Sequence, residues 1–135
     1  MLGRFDFGRL TLGPIAFCHT GDYASWLCQT NDTGACRESP WWGAGNRPQH
    51  DVLIANSDPY AVILNCQSAA VSVFCHEECW MDQVVDAPSF ELFLRGVGTG
   101  WLSRGGNGNA VMLAEEVSPD FRYGKALAFW SWFMH

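Results

Sequence analysis

Cys75-His76-Glu77-Glu78-Cys79 sets two thiols, an imidazole and two carboxylates in consecutive positions, the donor types that hold zinc or iron. A structural zinc site takes four ligands in paired short spacings, and no second pair of that kind is evident. Cys28 and Cys36 would complete the set only if the stretch between Asn31 and Asp51 folded back. The expectation is therefore no metal and no cofactor, with a metal-binding domain through Cys75, His76 and Cys79 as a rival reading. A thiol nucleophile needs a base beside it. Cys18-His19 and Cys75-His76 are sequence neighbours, but adjacent strand residues point to opposite faces. Gly96-Val97-Gly98-Thr99-Gly100 superficially resembles a phosphate loop. It follows a helical stretch rather than a strand and no Lys comes next, so it reads as helix termination. Glu77-Glu78, Glu115-Glu116 and Asp120 offer carboxylates for acid–base work, but nothing sets a separation between any two. Of Glu115 and Glu116, one is expected to face solvent. No catalytic residue is assigned, and the expected function is non-enzymatic.

Recognition fits these residues better than catalysis. Trp41-Trp42 stands in the middle of the stretch Asn31–Asp51, which carries Gly34, Pro40, Gly43, Gly45 and Pro48 and little periodicity. A loop that long inside a compact domain is usually functional or mobile, and exposed aromatics are enriched at binding hot spots. Packing of both indoles onto the sheet is an equal alternative. The residues expected to touch a partner are Asp22, Trp41, Trp42, His76, Glu77 and Glu78.

Composition narrows the partner. The 135 residues suit a single domain with one hydrophobic core, and 48% hydrophobic content with seven Trp and nine Phe argues against disorder. Only 16% of residues are charged, below the roughly 25% usual for soluble domains; so sparse a surface often meets a partner or a second copy. The formal charge of −6, with no Lys/Arg run to offset it, excludes nucleic acid as the expected ligand and favours a basic protein surface. Apolar runs fall well short of the about 20 residues that span a membrane. The start, Met1-Leu2-Gly3-Arg4-Phe5-Asp6, has no apolar signal core, so cytoplasmic residence is expected. The six cysteines then read as free thiols, with Cys18, Cys28, Cys66 and Cys75 serving as small apolar side chains in or beside strands.

The elements that must position these residues form an α+β pattern. Leu10–Cys18 reads as a strand broken at Gly13-Pro14, and His19–Asp22 as a turn into a second strand, Tyr23–Cys28. Val52–Ala55, Tyr60–Asn65, Ala70–Cys75 and Met81–Asp86 read as strands, antiparallel because their connections are short. Ser89 caps a helix whose Phe90, Phe93, Leu94 and Val97 make one apolar face, with Gly96 and Gly98 ending or loosening it. Gly105–Gly108 is a flexible break, after which Asn109 caps a helix over Ala110–Val117. Ser118-Pro119-Asp120 starts the last helix, with Tyr123, Leu127, Trp130 and Met134 as its stripe. The fold class expected is an antiparallel or mixed sheet of about five to six strands, helices packed on one side, and C-terminal helices.

Ile15-Ala16-Phe17 before a Gly21-Asp22 turn, Tyr60-Ala61-Val62-Ile63-Leu64, the hairpin Ser68–Glu77, and Ser89-Phe90-Glu91-Leu92-Phe93-Leu94 follow one another in an order that resembles the SUKH superfamily of immunity proteins. The last of these is similar to that family's Ser-Phe-Glu-x-Phe-Leu helix start, and a Trp in the closing helix, here Trp130, is common there. The resemblance spans somewhat more than half the chain. It implies a protein-binding module that neutralises a toxin by covering its active site. The family's opening helices have no counterpart before Leu10, which would leave one sheet face bare and predicts a homodimer. The rival function is a small-ligand-binding domain or enzyme with a pocket between the sheet and the C-terminal helix.

Overall fold

The computed structural model describes residues 10–17, 22–31, 50–75, 83–104, 109–118 and 123–135. Six strands form one antiparallel sheet in sequence order: β1 (Thr11–Leu12), β2 (Ile15–Ala16), β3 (Asp51–Asn56), β4 (Tyr60–Asn65), β5 (Val71–Cys75) and β6 (Gln83–Ala87). Helix α1 (Tyr23–Asn31) lies between β2 and β3 in the chain. Helices α2 (Phe90–Leu102), α3 (Ala110–Val117) and α4 (Tyr123–Met134) follow the sheet. This is the α+β fold expected, with a purely antiparallel sheet.

Alternation along the central strands sorts side chains between two faces. Val62 and Leu64 of β4, Val71 and Val73 of β5, and Val85 and Ala87 of β6 join Phe90, Phe93, Val97, Leu113, Ala114, Val117, Ala126, Phe129, Trp130 and Phe133 in the main core. Leu53, Ala61, Ile63 and Phe74 form a second buried cluster. Irregular registers at Leu53/Ala55 and at Val73/Phe74 let neighbouring residues such as Ile54 and Ala55 both reach the main core. Among the described residues, the face of the sheet that carries this second cluster is covered at those four positions.

The β4–β5 turn is built by Asn65, whose Oδ1 accepts from the Gln67 and Ser68 amides at 3.0 and 2.9 Å. Its Nδ2 donates to Asp51 Oδ1 on the neighbouring strand at 2.8 Å. A side chain that satisfies turn amides in this way is the reason Asn punctuates hairpins.

The break expected at Gly13-Pro14 is there: Gly13, at φ +59°, turns the chain between β1 and β2, which pair antiparallel. Three expectations are corrected. Tyr23–Cys28 is helix rather than strand. Asp22 caps it, and Tyr23, Trp26 and Leu27 at helical spacing pack on the core. The glycines at 96 and 98 do not end α2, which runs on to Leu102. A Cβ on Gly96 would meet Val117 Cγ2 at 2.6 Å, and one on Gly100 would meet Phe133 at 3.0 Å, so at these two positions α3 and α4 leave α2 little room for a side chain. Finally, the buried stripe of α4 is Ala126, Phe129, Trp130 and Phe133, while Leu127 and Met134 are only partly buried. The Ser89 and Asn109 caps form as expected: Ser89 Oγ accepts from the Leu92 amide, and Asn109 Oδ1 from those of Val111 and Met112. The break at Gly105–Gly108 and the start at Pro119-Asp120 lie outside the described residues.

Candidate partner-binding surface

α2 and α3 each bury one stripe and expose what lies off it. On α3, Ala110, Leu113, Ala114 and Val117 follow the i, i+3, i+4, i+7 spacing and pack inward, leaving Val111, Met112, Glu115 and Glu116 on the outer side. Val111 is four residues before Glu115, and Met112 four before Glu116, so each apolar side chain has a carboxylate as its neighbour one turn on. At the end of α2, Trp101 is 37% exposed and Leu102 86%; Val111 and Met112 are each 38% exposed. A Cβ on Gly100 would meet Leu113 Cδ1 at 3.2 Å, so α3 lies beside the end of α2. An exposed apolar group edged by carboxylates results. Both Glu115 and Glu116 face solvent, rather than one of them.

A second feature adjoins it. Arg104 follows α2 and holds its guanidinium carbon 4.8 Å from the centre of the Trp101 ring, a cation–π geometry. Gly13, Pro14, Arg104, Trp132, Phe133 and His135 line a cleft of about 480 Å³. Gly13 is needed there, since a Cβ would come within 3.1 Å of the Trp101 ring.

Of the residues expected at a partner surface, Asp22 alone is described. Its Oδ2 accepts from Ser25 Oγ at 2.7 Å and its Oδ1 from the Ser25 amide at 3.1 Å. These two bonds, the hydroxyl's first, hold its carboxyl below the ordinary value of 3.8. Asp22 is thus occupied as a helix cap, away from α2 and α3 in the chain. Trp41, Trp42, His76, Glu77 and Glu78 lie outside the described residues, and so does Cys79. Cys75 is half-buried at the end of β5 as a free thiol. Cys28 and Cys66 are also free thiols, but they are exposed rather than packed as small apolar groups. Among the described residues, no three His, Cys, Asp or Glu side chains gather as a metal site. Gly96–Gly100 lies mid-helix against aromatic side chains, which removes any phosphate-loop geometry.

No family model, curated protein or solved structure matches the chain.

Two residues with structural roles escaped the sequence reading. Asn31, in the last turn of α1, donates from Nδ2 to Leu53 O at 3.0 Å and accepts from Leu53 N at 2.8 Å. Its amide thus pairs with the edge of β3 as a further strand residue would, beyond the single β2–β3 pairing at Ala16↔Asn56. Tyr23 Oη donates to Ile54 O at 2.8 Å beside it. No sequence spacing announces such a contact. The exposed group on α2 and α3 did carry a signal: Leu102, Val111 and Met112 are apolar yet sit off the stripes that their neighbours define. Ending α2 at Gly98 hid it. Among the described residues, no helix is long and apolar enough to cross a membrane.

Proposed function

We propose that the chain is a protein-binding module of SUKH-like kind, an immunity protein that neutralises a toxin domain by covering its active site. The observation that carries this reading is the exposed group Trp101, Leu102, Val111 and Met112 edged by Glu115 and Glu116. Binding energy concentrates in a few apolar and aromatic anchors ringed by polar groups. Carboxylates at the rim, in a chain of formal charge −6, speed association with a basic surface and disfavour acidic ones. A nuclease-type toxin, which must itself attract phosphate, presents such a basic surface. Trp41, Trp42, His76, Glu77 and Glu78 are proposed as further contacts of the same partner.

The test is capture from the source organism with three baits: the wild-type chain, Leu102→Asp, and the double substitution Glu115→Lys with Glu116→Lys. Recovery of one basic protein in stoichiometric amount by the wild type, lost with Leu102→Asp and weakened by the charge reversal, supports the reading. Equal recovery by all three baits overturns it. The homodimer is proposed on the sparse surface charge alone, and a monomeric mass by light scattering at micromolar concentration removes it.

A further inference from the structure

The geometry points to a second site beside the first: the cleft between the β1–β2 turn and the end of α4 binds a small organic carboxylate with a flat apolar body. This goes beyond the protein-binding reading and does not depend on it.

The apolar part of the ligand is set by Pro14, Trp132 and Phe133, with Phe133 buried and the other liners at least partly open to solvent. Tyr60 packs edge-on against Trp132 with ring centres 4.6 Å apart, which holds that indole in place as a wall. The cleft volume of about 480 Å³ falls in the range of small-molecule sites, roughly 300–1,000 Å³. Gly13 adds no side chain to the opposite wall, and its left-handed backbone makes any other residue there costly.

The anionic part is set by Arg104. Among the described residues it has no carboxylate partner; the ion pair found there joins Arg95 to Glu91 instead. Stacking over Trp101 orients a planar guanidinium whose fork matches two carboxylate oxygens. His135 adds one more polar atom. Its Nδ1 lies 2.8 Å from the Ser131 carbonyl oxygen, which can only accept, so Nδ1 carries the proton and Nε2 is left as the ring's other polar atom.

Charge selects among anions. A chain of formal charge −6 repels a doubly charged phosphate more than a singly charged carboxylate. One guanidinium also balances one carboxylate.

The test uses the full chain, with 2-naphthoate and its neutral analogue 2-naphthamide as probes, read on the indole N–H signals of Trp101 and Trp132 by NMR. The expected result is a saturable shift of both signals by 2-naphthoate. Its affinity should fall about tenfold with 2-naphthamide, and about tenfold in Arg104→Gln, as the loss of a charge-assisted pair implies. Arg104 is exposed, so the variant keeps its fold, and circular dichroism checks that. Shifts that do not saturate, equal affinity for the two probes, or unchanged naphthoate affinity in Arg104→Gln would each overturn the proposal.

Discussion

The two ends of α2 obey different rules. Over its first eleven residues the helix is part of the core: Phe90, Phe93 and Val97 are buried, and Gly96 and Gly100 let Val117, Trp130 and Phe133 come close. Over its last two residues, Trp101 and Leu102, the same helix puts apolar surface into solvent. The first part shows side chains chosen by volume, where a single added carbon matters. The second ends on Leu102, which is 86% exposed, so the folded core gives no reason for an apolar side chain there. Stability and partner recognition should accordingly separate along one helix.

The largest effect is expected at the core end. Trp130 is fully buried against Phe93, Phe129 and Phe133 and lies beside Gly96. Trp130→Ala should cost about 3–5 kcal/mol, as large-to-small core changes do, measured by chemical denaturation. A loss below about 1 kcal/mol, the level of an ordinary surface change, would mean that this end is not close-packed.

A finer test compares two glycines of the same helix. Replacing either by Ala gains about 0.8–1 kcal/mol of helix propensity. At Gly98 nothing stands within 4 Å of the new Cβ, so Gly98→Ala should be stabilising by about that amount. At Gly96 the Cβ would meet Val117 Cγ2 at 2.6 Å, and overpacking costs about 1–3 kcal/mol. Gly96→Ala should therefore lower stability, or at best leave it unchanged. The same gain at both positions would contradict the close approach of α3 and α4.

The caps give the smallest effect, and one that depends on pH. Ser89 at the start of α2 does not titrate in the accessible range, whereas Asp22 at the start of α1 does. Its carboxyl is held below 3.8 by the Ser25 bonds. A depressed folded-state pKa contributes stability above the unfolded value, and that contribution disappears as pH falls through the folded one. Hydrogen exchange at the Ser25 amide should therefore accelerate relative to that at Leu92 as pH drops below 3.8, after correction for intrinsic rates. Parallel behaviour of the two amides would remove the cap's role.

Much of the sheet was legible because its signals are local. Runs of β-branched and aliphatic residues and short polar connections announce β3 to β5, and Ser89 announces the start of α2. What failed were places where a distant contact decides. Tyr23–Asn31 satisfies strand propensity in its first half, and only packing of Tyr23, Trp26 and Leu27, with Asn31 pairing to Leu53, selects a helix. Gly96 and Gly98 read locally as breakers, yet α3 and α4 make a small residue the fit at the first of them. The candidate surface was missed for a related reason: exposure of Leu102 is visible only once α2 is known to reach it. The cleft needs three separate segments together, the β1–β2 turn and the ends of α2 and α4, which no spacing in the chain foretells.

The central claim is that Leu102 serves a partner rather than the fold. Its most direct test is photocrosslinking in the source organism, with p-benzoylphenylalanine placed at Leu102 or, as a control, at the exposed Asp58 of the β3–β4 turn. Both variants should unfold within about 0.5 kcal/mol of the wild type, as surface changes usually do. One discrete adduct with a basic protein is expected from position 102 and none from position 58. No adduct from position 102, or the same products from both positions, would contradict the claim.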